Sequence, residues 1–344
     1  MNQDIAQLKW FDEKYFEETA HFIAKTQAKD GSIPWFYNGP MDPWDHIEAL
    51  MGLTIGGKFS EARKGFEWLK RNQLKNGSWL AAYKDGEIED GTRAETNYVA
   101  YIATGVWHYY LVTKDKSFLE TMWKTIAKAM DFVISLQGPS GEIFWCEDTK
   151  LGVQKDCLVT GCSSIYKSLE CATNIGSILE KDVGIWKSAR KNLGAALLDH
   201  PQCFDQTWES KARFAMDWFY PVLTGVIQGK QAIRHLDERW EEFVVNELGC
   251  RCVNDEPWVT VAESCELVMA LMSAGQEQKA RKVFSWLMNF REDDGSYWTG
   301  YVYPDQLMWP EERPTWTAGA VLLAADALTK KTPASSLFLN SKKT

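Results

Sequence analysis

No run of apolar residues is long enough to cross a bilayer, and basic residues are outnumbered by acidic ones, leaving a formal net charge of −9. The first deficit argues against a membrane span. The second argues against nucleic acid or an anionic membrane surface as partner. Histidine is scarce, with five copies at 21, 46, 108, 200 and 235. None follows Cys250-Arg-Cys252 at a ligand-like interval, so no standard zinc spacing exists and no metal is expected. A Gly-rich phosphate cradle is missing, as are local signatures of serine or cysteine nucleophile triads, and no cofactor is expected. The opening residues Met1-Asn-Gln-Asp-Ile-Ala-Gln7 lack the basic and apolar regions of a secretory signal. Eight irregularly spaced cysteines fit reduced thiols rather than a disulfide framework. A cytoplasmic protein is therefore expected. Nothing in the sequence fixes its oligomeric state.

What is present is a repeat. Six segments each end in a loop that leads into a new apolar helix, and those helices begin at Asp45, Glu95, Gly161, Asp217, Glu263 and Trp316, 46 to 66 residues apart. Before the loops stand similar words: Phe22-Ile-Ala-Lys-Thr-Gln-Ala-Lys-Asp-Gly31-Ser32, Trp68-Leu-Lys-Arg-Asn-Gln-Leu-Lys-Asn-Gly77-Ser78-Trp79, Phe132-Val-Ile-Ser-Leu-Gln137 running to Gly141, Phe243 to Gly249, and Trp286 to Trp298 around Gly295. A degenerate copy lies between Leu193 and Phe204. The Asn-Gly, Asp-Gly and Gly-Ser steps are turn signals just past an apolar helix. After the loops, Ile47–Leu53, Tyr98–Val106 and Leu267–Met272 are apolar almost all round, which marks buried helices. The helices before the loops are two-faced, as in Glu61–Arg71. A repeat of this length means a stacked or closed array. The expected fold is all-α, an (α/α)6 barrel of six helical hairpins, with residues 1–332 as one domain and 333–344 as a flexible C-terminal tail.

The connections are unequal. Inner-to-outer turns such as Gly56-Gly57-Lys58 and Lys114-Asp115-Lys116 are short. Outer-to-inner loops are long and rich in aromatic and acidic residues, and long loops on a rigid scaffold usually carry function. The acids Asp45, Glu95, Asp217 and Glu263 stand at equivalent positions on that face and are the candidate catalytic residues. Each taken alone is explained better as a helix cap than as a catalyst, and it is four at equivalent positions on one face that point to chemistry. In a six-unit ring Asp45 faces Asp217 and Glu95 faces Glu263. Neighbouring axes about 8–10 Å apart leave room between opposed acids for the roughly 6.5–9.5 Å separation of an inverting glycosidase pair. Candidate substrate-binding residues are Trp44, His46, Glu48, Asn97, Tyr98, Trp218, Tyr220, Trp258, Glu266, Trp298, Tyr303 and Trp316. Aromatic walls of this kind suit sugar rings and equally suit an isoprenoid cation. The largest cleft is expected on the long-loop face, lined by the ring acids, and at least one ring acid is expected to have a raised pKa.

The stretch Lys64-Gly65-Phe-Glu-Trp68 through Gln73, Gly77 and Trp79 resembles the Gln-Trp repeat of squalene-hopene-type cyclases, with looser copies at Gln27–Trp35 and Gln137–Trp145. The whole chain resembles the small bacterial prenyltransferase-like, or squalene-cyclase-repeat, proteins. That resemblance implies an α/α toroid, a fold similar to that of terpene cyclases, protein prenyltransferases, six-hairpin glycosidases and polysaccharide lyases. The Asp-x-Asp-Asp proton donor of class II cyclases is absent, and Asp42-Pro-Trp-Asp45 keeps only its spacing. The Asp, Cys and His zinc constellation of protein prenyltransferases has no match. The leading expectation is a carbohydrate-active enzyme of hydrolase, lyase or epimerase type, using paired carboxylates on a saccharide. An isoprenoid cyclase or prenyltransferase-like enzyme is the alternative, and a non-catalytic binding toroid the third.

Overall fold

A helix that is apolar on nearly every side must be enclosed by others, whereas a two-faced helix belongs at the surface. The computed structural model, which describes residues 13–339, sorts the chain in this way. In chain order the helices are α1 (Glu13–Thr26), α2 (Pro43–Ile55), α3 (Phe59–Asn72), α4 (Thr96–Thr113), α5 (Lys116–Ser135), α6 (Val159–Ile178), α7 (Gly184–Asp199), α8 (Ala215–Leu223), α9 (Gly229–Glu238), the one-turn α10 (Trp240–Phe243), α11 (Val261–Ser273), α12 (Glu277–Trp286) and α13 (Thr315–Thr329). The apolar helices α2, α4, α6, α8, α11 and α13 pack in that sequence, and α13 returns to α2. They form the inner ring of an all-α toroid and begin within two residues of the predicted positions. Around them stand α1, α3, α5, α7, α9 and α12. Gly319 lets α13 approach α2 closely: a Cβ there would lie 2.7 Å from the Glu48 carbonyl oxygen.

The repeated words tie one outer helix to the next. Gln73 Nε2 donates to the carbonyls of Gly77 (2.9 Å) and Thr125 (2.8 Å). Gln27 does the same with Gly31 and Glu61, and Gln137 with Gly141 and Ala189. Each glutamine therefore closes its own turn and grips the following outer helix. Gly77 has φ +97, and a Cβ on it would meet the Lys128 carbonyl oxygen at 2.2 Å. The sixth unit grips the first: Gly295 lies against Glu18, Arg291 pairs with Glu18 at 2.6 Å, and the Tyr15 and Tyr297 hydroxyls are hydrogen-bonded.

The long loops carry short strands that the sequence did not suggest. These are β1 (Ala82–Lys84), β2 (Glu87–Asp90), β3 (Arg93–Glu95), β4 (Cys146–Asp148), β5 (Gly152–Gln154), β6 (Val244–Val245), β7 (Gly249–Arg251), β8 (Trp258–Thr260), β9 (Gly300–Val302) and β10 (Leu307–Met308). They form three small antiparallel sheets: β1-β2, β3-β4-β5 and β10-β9-β8-β7-β6. Two to four residues per strand is too short for an alternating pattern to stand out. Their role is to stitch neighbouring loops together: β3 to β4, β8 to β9, Met41 to Tyr83 and Phe214 to Val253. Asp156 with Thr207, and Thr315 with Trp35, complete the circuit.

At the C-terminal end, Ala334, Leu337 and Phe338 are buried, so chain beyond the expected boundary at 332 still packs on the barrel. Residues 340–344 of the expected tail lie outside the described residues. No helix among the described residues is long and apolar enough to cross a membrane.

Gly77→Ala should destabilise the fold by about 1–3 kcal/mol through a strained φ and a clash. Gln73→Ala should cost a similar ~1–3 kcal/mol by stripping two part-buried carbonyls of their donor. Urea unfolding followed by tryptophan fluorescence checks both. Losses under roughly 0.5 kcal/mol, the scale of an ordinary surface substitution, would show that the repeated words do not hold the outer ring.

Candidate active site

Pro43 opens α2 and Asp42 caps it. Asp42 Oδ1 accepts from the Asp45 amide at 2.9 Å and Oδ2 accepts from Trp35 Nε1 at 3.0 Å. Asp45 follows in the first turn, half-buried, with its carboxyl hydrogen-bonded to that of Asp42. Burial, then the charges of Asp42, Glu48 and Glu266, raise the Asp45 pKa well above the usual carboxylate range. Burial also raises Asp42, but its N–H donors favour its charged form. The two carboxyls therefore share a proton that resides on Asp45. The helix dipole opposes this and is outweighed by desolvation.

One turn deeper lies a second tier. Tyr101 donates to Glu48 Oε2 at 2.6 Å, and Tyr220 donates to Glu266 Oε1. Burial lifts Glu48 to about 7 and Glu266 well above its ordinary value, the Glu48 charge adding to the latter. With Lys167 and Phe338 these residues line a closed cavity of about 10 Å³. Trp44 sits between the tiers, stacked on Tyr101 at 4.9 Å and within 6.1 Å of Tyr98 and Tyr220. The Tyr98 hydroxyl lies among Asp42, Glu95 and Asp45, and burial raises its pKa first, those charges second.

The ring is less symmetric than its spacing suggests. Glu95 is buried and ion-paired with Arg93 at 2.8 Å. Burial raises its pKa and the Arg93 charge opposes the shift. Asp217 does not turn toward Asp45. It accepts from the Thr160 amide (3.2 Å) and hydroxyl (2.5 Å), capping α6, and lines a separate cleft with His235 and Arg239. Burial raises its pKa to about 6 against the Thr160 hydrogen bond. Glu263 is half-buried with the Cys252 thiol bonded to it, and its Oε2 has no partner among the described residues. Trp316, edge-on to Trp35 at 6.4 Å, has an unpartnered buried Nε1 as well. A buried donor and a buried acceptor left open at one mouth are suited to a polar ligand.

Several predicted binding residues belong elsewhere. His46 is a core residue: Ile33 N–H donates to its Nδ1 and its Nε2 donates to the Gly65 carbonyl, with burial lowering its pKa to about 4. Trp218 stacks on Phe243 and donates to the His235 carbonyl, outside the ring. Asn97 packs beside Gly161. Trp258, bonded to the Trp309 carbonyl, Trp298, bonded to Glu292, and Tyr303, which accepts from Arg251, stand in the rim loops. The sequence offers Asp42 and Trp35 only as loop residues near the mouth, with no role assigned, and does not single out Tyr101. The Asp-Pro step before α2 and the one-turn interval from Tyr98 to Tyr101 are the signals that mark two of them.

A cavity of about 960 Å³, far larger than the one beneath the acid tiers, lies away from the acid mouth. It runs along the outside of α1 beneath the loops of Phe36, Tyr37 and Arg313, and no predicted site residue lines it. That overturns the expectation for the main cleft. The ring mouth remains the candidate active site because the shared proton and the open polar atoms are there.

No protein-family model matches the chain. Over 321 residues it is 46% identical to the MMP endo-(1,4)-3-O-methyl-alpha-D-mannosidase of Mycolicibacterium hassiacum, covering 93% of this chain and 88% of that one. Among solved structures, a glycosidase in complex with glucose matches with TM-score 0.73 at 14% identity, over 95% of this chain and 99% of the other. A D-mannose isomerase matches at 0.71 and 10%, over 96% and 100%. The GH63 mannosylglycerate hydrolase of Thermus thermophilus matches at 0.64 and 11%, over 89% and 99%. These folds are of the six-hairpin glycosidase kind. The words that resemble squalene-cyclase repeats do scaffold work here, through Gln27, Gln73 and Gln137.

Carboxyls that keep their protons in the native state destabilise it as pH rises. Between about pH 5 and 7 the native chain binds more protons than the unfolded one, so unfolding becomes easier by about 1.4 kcal/mol per pH unit for each retained proton. The unfolding temperature should fall from pH 5 to pH 8, and Glu48→Gln or Glu266→Gln should flatten that fall. A curve rising over this window would contradict the protonated second tier.

Proposed function

Because the chain belongs to the family of the MMP endo-(1,4)-3-O-methyl-alpha-D-mannosidase and is a carbohydrate-active enzyme of glycoside-hydrolase type, we propose that it cleaves internal 1,4 linkages of a 3-O-methyl-α-mannose polysaccharide at the mouth of its inner ring. The observation that carries this is the Asp42–Asp45 carboxyl pair at the mouth, with Asp42 held by two N–H donors and Asp45 pushed toward its protonated form by burial.

Asp45 is the general acid. Its carboxyl gives its proton to the glycosidic oxygen as the C1–O bond breaks. Glu263 is its partner. Its open Oε2 takes a proton from water, whose oxygen bonds to C1, so each turnover consumes one water and releases a new reducing end. Asp45 then regains a proton through solvent. Asp42 is a positioning residue, held by Trp35 and by the helix it caps. Glu95, neutralised by Arg93, is better placed to accept a sugar hydroxyl than to move a proton. Trp316 presents its ring and its free N–H to the same sugar. Trp44 forms the floor, with its two neighbouring tyrosines fixed by Glu48 and Glu266. The eight cysteines are unpaired, which fits a reducing compartment, and we assign the cytoplasm.

Asp45→Asn and Glu263→Gln should each lower turnover of a 1,4-linked 3-O-methyl-α-mannan by about 10²–10⁴-fold while the far-ultraviolet circular dichroism stays unchanged. Asp217→Asn should keep most of the rate, because that acid caps α6. Chromatography of the reducing ends released over time measures all three. Wild-type turnover by Asp45→Asn would remove the assignment of the acid. Internal cuts appearing from the first minutes would distinguish endo from end-on attack.

A further inference from the structure

An enzyme that cuts inside a chain must let the chain leave its mouth on both sides of the scissile bond. Beside the mouth lies the cavity of about 960 Å³ on the outer face of α1, a size within the range of small-molecule sites. One loop joins the two. Trp35 stands at the mouth, bonded to Asp42 and edge-on to Trp316. The next two residues, Phe36 and Tyr37, line the cavity. The loop is held by Trp35 N–H to the Pro40 carbonyl (2.8 Å), Gly39 N–H to the Phe36 carbonyl (2.8 Å) and Thr315 N–H to the Trp35 carbonyl (2.7 Å). The cavity is thus built on the loop whose Trp35 holds Asp42.

Its lining has the chemistry of a saccharide surface. Phe22, Phe36 and Tyr37 supply aromatic faces, and Tyr37 is 80% exposed although it stands on a fixed turn. Glu17, Asp293, Glu311 and Glu312 supply acceptors for sugar hydroxyls, and His21 and Lys25 supply donors. Arg313 on the far wall is fixed by Ser296 Oγ at 2.9 Å and by the Trp298 ring at 5.5 Å. Two further carboxylates are already paired, Glu18 with Arg291 and Asp294 with Arg313, which lowers the field that a cationic partner would need. A methyl ether on each ring makes a 3-O-methylated chain amphipathic, with apolar patches for aromatic faces and hydroxyls left for the acids.

We propose that this groove is an auxiliary binding site for the same polysaccharide, taking the stretch of chain that leaves the mouth over Trp35 and Trp316. The inference rests on the substrate class proposed above. It makes the enzyme prefer long chains, because a chain long enough to reach from mouth to groove gains contacts that a short one lacks.

The test uses the full-length Asp45→Asn protein, which binds without cutting, and titration calorimetry with a long 1,4-linked 3-O-methyl-α-mannan and with a trisaccharide of the same linkage. The long chain should bind at least tenfold more tightly. Tyr37→Ala, an exposed position where folding is not at stake, should remove most of that advantage and leave trisaccharide affinity unchanged. Thr26→Trp, which fills the groove, should do the same. Equal affinity for the two ligands in the parent, or a long-chain advantage untouched by both variants, would overturn the groove. Cleavage of the polymer by the wild-type protein decides the substrate class separately, so failure of the groove and failure of the substrate are read from different measurements.

Discussion

Closure of the ring is the constraint on which the rest depends. Helices such as α2, α4 and α13 are apolar nearly all round, so each needs neighbours on both flanks and an outer helix behind it. An open array would leave one such face in water at each end. The chain avoids this by making its sixth unit grip its first, through Gly295, Arg291 and Tyr297 against Glu18 and Tyr15. The same glutamine and glycine contacts repeat around the outer layer, and the loops at one end are sewn in parallel by short strands. The mouth is therefore rigid although it consists of loops.

That rigidity permits an arrangement that folding by itself would not favour. Asp42, Asp45, Glu48 and Glu266 crowd acids where burial disfavours their charges. A looser rim would let water in and relax them toward ordinary carboxylate behaviour. Held by Trp35, Tyr101 and Tyr220, they stay desolvated and keep a proton near neutral pH. Stability is given up there, because each desolvated carboxyl resists ionising as pH rises.

The two tiers divide the labour. The upper tier carries a carboxyl that burial pushes toward its protonated form, together with the unpartnered Glu263 Oε2 and Trp316 Nε1, all on half-buried residues. The lower tier is closed, with its acids bonded to tyrosines. The spacing of three residues from Asp45 to Glu48 and from Glu263 to Glu266 places both tiers on the same helix faces. One inner surface thus serves both chemistry and support.

Much of the architecture was legible before any coordinates. Periodicity marked the inner and outer helices, and the Gln and Gly words marked where outer helices end, because burial and turn geometry are local demands that each residue must meet. The sequence sets Asp45, Glu95, Asp217 and Glu263 at equivalent positions; three of them do share a place, the third residue of α2, α8 and α11, whereas Glu95 precedes α4 at the end of β3. Their directions were not legible. Whether Asp217 points across the ring or caps α6 depends on Thr160, 57 residues away. Whether Glu95 is free depends on Arg93, itself set by its strand's pairing with β4. His46 and Trp218 looked like mouth residues because they follow ring acids. One further step around a helix turns a side chain by about 100°, and that buried both away from the mouth, against the outer helices. Spacing and polarity along the chain were enough for a closed ring of six hairpins with acids at one end. Which acid loses its water and keeps its proton was settled by packing, because desolvation is a property of everything around a group and not of its neighbours in the chain.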